Sequence, residues 1–144
     1  MARSLGATGT EGLLGEINAS APKRSKISDG GIGDERHSAT KSDHNPCRCC
    51  RVVHARDFTH DPAGGLDGQQ LADWLQARAH AGEQRIRYVI WNRKIMSGPG
   101  QDYPCGVWRP YRGKNAHTHH VHLSVSHDNC DDDAAWGWPP TAAA

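Results

Sequence analysis

The chain contains no run of about 18 apolar residues, so no membrane-spanning helix is expected. Its first residues, Met1-Ala2-Arg3-Ser4-Leu5-Gly6, lack the apolar stretch of a secretory signal. The expectation is a protein made and folded in a cytosol without membrane insertion. There is no excess of one charge: 17 Lys and Arg stand against 16 Asp and Glu, for a net charge of +1. That is not the footprint of a nucleic-acid binder. Apolar residues make up only 36%, while glycine (16) and proline (8) are plentiful, which predicts a small core with many loops. An even cysteine count is also missing. The five cysteines, at 47, 49, 50, 105 and 130, argue against a full disulfide framework. The cluster Cys47-Arg48-Cys49-Cys50 does not have the usual Cys-x2-Cys spacing of a structural zinc site. Such a site, with Cys105 or Cys130 as fourth ligand, is therefore a weaker reading than reduced thiols in a loop. There are no internal repeats. A length of 144 residues suggests a single domain, with a core over about 8–127 and a loosely held tail over 128–144. A monomer is expected.

What is present is a strand of unusual composition. His117-Thr118-His119-His120-Val121-His122-Leu123-Ser124-Val125-Ser126 carries four of the ten histidines. With a period of two, Val121, Leu123 and Val125 form an apolar face, and His120, His122, Ser124 and Ser126 form the other. Two imidazoles about 7 Å apart on a rigid strand are well held for metal binding or acid–base work. His117 and His119 read as residues leading into the strand.

Upstream, residues 8–20 read as a short helix, with Thr8 or Thr10 as cap and Leu13, Leu14 and Ile17 at helical spacing. Residues 23–46 form a long polar segment. Residues 51–59 read as a strand whose alternation places Val53, Ala55, Asp57 and Thr59 on one face. An aspartate on that face is partly buried and needs a partner or a metal. A second helix is predicted over 67–81, capped by Asp67 and stopped by Gly82. Strands follow at 85–91 and 94–96, then a glycine- and proline-rich loop and the aromatic segment 107–111. The order predicts an α+β fold, a small mostly antiparallel sheet flanked by two or three helices.

His44, Asp57 and His122 together offer two imidazoles and one carboxylate. That donor set suits zinc and leaves a fourth tetrahedral position open for water, as in catalytic rather than structural sites. His120, on the face of His122, is then placed to handle a proton.

Ser42-Asp43-His44 followed by Val53-x-Ala55-x-Asp57, with His120-Val121-His122 downstream, resembles the Ser-x-His, Ala-x-Asp and His-x-His signature of zinc peptidases related to D-alanyl-D-alanine peptidases and the hedgehog fold. Further segments resemble peptidase-like proteins of actinobacteria and their phages. They are Arg24-Ser25-Lys26, Ser28-Asp29-Gly30, Ile32-Gly33-Asp34, Asn45-Pro46, Asp57-Phe58-Thr59-His60-Asp61-Pro62 and Tyr88-Val89-Ile90-Trp91-Asn92. The resemblance implies a hedgehog-like fold and Zn2+ held by His44, Asp57 and His122, with Ser42 orienting the site. The sequence departs from the pattern in two places. Asp57 follows His44 by 13 positions, a longer gap than the superfamily often has, with the cysteine cluster inside it. His119 also stands where many members carry a catalytic glutamate. His120 is the first choice for the base, with Asp61 and His119 behind it.

The implied activity is that of a zinc metallopeptidase, an endopeptidase or carboxypeptidase that cuts a peptide bond in the stem peptide or cross-bridge of peptidoglycan. A phage endolysin or related cell-wall hydrolase, made in the cytoplasm and acting on the wall after release, fits that expectation. Two rivals stand beside it. One is a non-catalytic zinc-containing wall-binding module. The other is a two-histidine phosphoesterase, for which His122-Leu123-Ser124 supplies one element while His37-Ser38-Ala39-Thr40 has its hydroxyl at the wrong offset.

Overall fold

The computed structural model describes residues 5–6, 8–30, 52–126 and 134–139. Its elements in chain order are β1 (Leu5–Gly6), α1 (Thr8–Ser20), β2 (Val52–Val53), β3 (Ala55–Thr59), α2 (Gly68–His80), β4 (Ile86–Trp91), β5 (Lys94–Ser97), β6 (Arg109–Pro110) and β7 (His120–Val125). The architecture is α+β. A five-stranded sheet runs β3-β7-β4-β5-β6 with every neighbouring pair antiparallel, and β1 and β2 form a separate parallel pair.

Both helices form where the apolar spacing places them. Leu13 and Ile17, one turn apart, are fully buried on α1, and the Ala21 N–H donates to the Ile17 carbonyl as the helix ends. The Asp67 carboxylate caps α2, accepting from the backbone N–H of Gln69 (2.8 Å) and Gln70 (3.4 Å). Leu71, Ala72, Leu75 and Ala79 are its buried stripe, and Gly82 follows at φ +94°. Between β4 and β5, Asn92 (φ 49°) and Arg93 (φ 66°) both take the left-handed conformation, which two-residue hairpin turns favour because it matches strand twist.

The strand β7 lies in the interior of the sheet, paired to β3 on one side and β4 on the other. Its Val121, Leu123 and Val125 are fully buried in one core with Phe58, Val89, Leu71 and Leu75. The face read from the sequence as polar is buried as well: His122 is 3% exposed and Ser124 0%. An interior strand has no solvent edge, and Tyr88 lies against His122 on that face, its ring near-parallel at 5.4 Å.

The expectation of a loose tail over 128–144 is corrected for residues 134–139. The Glu16 carboxylate accepts from the backbone N–H of Trp136 (2.8 Å), Gly137 (2.8 Å) and Trp138 (3.0 Å). Trp136 and Trp138 are buried and pack on Trp74 of α2. Two large indoles bury enough apolar surface to offset the ordering of this short segment.

Candidate metal centre

Antiparallel pairing of β3 with β7 puts Asp57 directly opposite His122, and Thr59 opposite His120. Residues opposite one another share a sheet face, so the carboxylate and both imidazoles meet on one side of the sheet. Asp57 Oδ1 lies 3.1 Å from His122 Nδ1, and Asp57 Oδ2 lies 3.4 Å from His120 Nε2. A carboxylate bridging two rings suits a site that must hold a cation or a mobile proton. The far nitrogen of His122, Nε2, lies 2.8 Å from the Ser124 hydroxyl. Both ring nitrogens of His122 are thus engaged, which fixes the orientation of the ring.

His117, which the alternation of β7 leaves out, joins this group. It precedes the strand, takes a left-handed conformation (φ 53°) and is 6% exposed. Its ring packs edge-on against His120 (4.7 Å) and His122 (5.2 Å). The Asn115 side chain accepts from the His117 backbone N–H (3.0 Å), and the Asn115 carbonyl lies 2.8 Å from His117 Nδ1. A carbonyl only accepts, so Nδ1 carries the hydrogen and Nε2 keeps its lone pair for a proton or a metal. Burial, reinforced by the charges of His122 and His120, lowers the His117 pKa to about 4, against the opposing pull of Asp57 and the Asn115 carbonyl. This ring is neutral at physiological pH, the state a metal ligand requires.

One donor atom each from Asp57, His117 and His122 lies within 4.8 Å of the others. Two ligands held about 2.05 Å from a tetrahedral zinc stand about 3.3 Å apart. The 3.1 Å between Asp57 Oδ1 and His122 Nδ1 fits that spacing. Two imidazoles and a carboxylate are a donor set that zinc and other first-row transition metals accept.

The other residues singled out in the sequence fall elsewhere. His44 and Ser42 lie outside the described residues, as do Cys47, Cys49, Cys50 and Cys130. Cys105 donates its thiol to the Ala79 carbonyl (3.2 Å). Asp61 is a turn former rather than a member of the cluster. Its Oδ2 accepts from the Ser25 N–H (2.8 Å) and its Oδ1 from the Gly64 N–H (3.1 Å). These backbone hydrogen bonds hold its carboxyl below the ordinary carboxylate range. His119 is exposed, and its carbonyl accepts from the His60 N–H (2.9 Å).

The segment 24–30 braces the far edge of β3. The Gly30 carbonyl accepts from the Asp57 N–H (2.8 Å), and Asp29 Oδ1 accepts from both the N–H and the hydroxyl of Thr59 (2.7 Å each). Asp29 is held in turn by the buried Arg24 guanidinium (2.9 and 2.5 Å).

A family described as VldE, C-terminal domain, matches residues 16–122, about three quarters of the chain. The chain belongs to this family. The VldE C-terminal match begins inside α1 and ends at His122, and so takes in Asp57, His117, His120 and the 24–30 brace. No curated protein and no solved structure matches the chain.

Proposed function

We propose that the protein is a zinc-dependent hydrolase that cleaves a peptide bond of bacterial peptidoglycan, in the stem peptide or the cross-bridge. The observation that carries this reading is the register of β3 on β7, which sets Asp57 against His122 with His120 on the second carboxylate oxygen. Together with the ordered motifs, it supports a relationship to D-alanyl-D-alanine peptidases and the hedgehog-like fold. Asp57 and His122 hold the metal, and the third ligand is either His44, as the motif implies, or His117 from the cluster, which leaves the fourth position for water. When bound, zinc supplies an acidified water and polarises the scissile carbonyl. His120 exchanges a proton with the nucleophile and the leaving amine, and the Asp57 carboxylate stabilises the charged ring during the transfer. Ser124 and the Asn115 carbonyl keep the His122 and His117 rings in place.

The test is digestion of purified actinobacterial peptidoglycan, with and without chelator, followed by mass analysis of the fragments. New amino termini that depend on zinc and disappear in His122→Ala are expected. Binding to the wall without any new termini would favour the non-catalytic module. Chelator-insensitive phosphodiester cleavage would favour the phosphoesterase.

A further inference from the structure

A groove of about 250 Å³ runs between α2 and the β4–β5 turn, and it neighbours the histidine cluster through the Asn92 N–H, which donates to the His117 carbonyl (2.9 Å). None of its lining residues belongs to the Asp57, His117 and His122 group. Its lining combines the part-exposed indole of Trp108 and the largely buried Trp91 (7% exposed) with Gln69 and Asp73 from α2 and Asn92 and Lys94 from the turn. Gly68 permits this arrangement, since a Cβ there would lie 2.6 Å from Trp91 Cη2. A relay orders the polar side: the Trp91 Nε1–H donates to Gln69 Oε1 (2.9 Å), and the Gln69 amide donates to Asp73 Oδ1 (2.9 Å). One carboxylate and one ammonium leave the lining without net charge, which disfavours a polyanion. The volume lies just under the range of small-molecule pockets, about 300–1,000 Å³, and suits one or two sugar rings.

We propose that this groove is a saccharide subsite that takes a neutral hexose unit of a glycan chain. The part-exposed Trp108 indole offers an apolar contact for the C–H face of a pyranose, and the surrounding amides, carboxylate and ammonium, which make up most of the lining, can meet its hydroxyls. The inference does not rest on the metal reading, because every group it uses lies outside that site.

The test is titration of the full chain, in chelator, with tri-N-acetylchitotriose and separately with cellotriose, read by tryptophan fluorescence and calorimetry. Saturable binding of at least one of them is expected, roughly millimolar as for a shallow single subsite. Affinity should fall about tenfold or more in Trp108→Ala. Asp73→Ala, at an exposed helix position, should weaken binding with the circular dichroism spectrum unchanged and gives the answer if Trp108→Ala does not fold. Failure of the wild type to bind either saccharide, or undiminished affinity in Asp73→Ala, would overturn the proposal. Working in chelator keeps this outcome separate from that of the peptidoglycan digestion.

Discussion

At the scale of single residues, the pairing of Asp57 with His122 is carried by period-two alternation in two short strands. That alternation is legible in the sequence because both strands are regular where it matters. His117 was not legible. Alternation runs only through strand residues, and His117 reaches the cluster through a left-handed backbone and the Asn115 contacts. Asn115 two positions before a histidine is the one local signal, since a short polar side chain readily bonds the backbone two residues on. The depressed pKa of His117 gives a pH prediction. In the unfolded chain this ring takes a proton near pH 6.5, whereas in the folded protein it resists protonation down to about 4. Its contribution to stability is complete above about pH 6.5 and is lost as pH falls toward about 4, by up to about 3 kcal/mol. Urea unfolding of the metal-free protein at several pH values should show this slope, and His117→Asn should flatten it.

At the scale of elements, the helices and most strands followed from spacing, caps and glycine stops. The brace at 24–30 did not, because its hydrogen bonds pass from side chain to distant backbone and leave no periodic trace. Arg24 is fully buried against Asp29. Arg24→Ala would leave that carboxylate buried without its cation and is expected to cost about 3–5 kcal/mol in urea unfolding. It should also loosen β3, which amide hydrogen exchange at Thr59 would detect as faster exchange. On α2, Gly68→Ala forces a methyl group against Trp91. The expected loss is about 1–3 kcal/mol, measured as a lowered denaturation midpoint.

At the scale of the whole molecule, α+β with an antiparallel sheet was readable from element order, but the strand order was not. Nothing in the sequence says that β7, the last of the described strands, enters between β3 and β4. That insertion buries both faces of β7 and gives the histidines a dry, rigid setting in place of a solvated one. The 134–139 segment was equally hidden, because its anchor is a glutamate on α1 more than 100 residues away. The proposal most open to direct test is that this sheet face holds one metal ion through Asp57 and His122. The most direct measurement is zinc content and affinity after reconstitution, for the wild type, Asp57→Ala and His122→Ala, with folding checked by circular dichroism. One zinc per wild-type chain is expected, with a loss of affinity of about 100-fold or more in each variant. A wild type that takes up no zinc, or a folded Asp57→Ala that keeps a full equivalent at unchanged affinity, would contradict it.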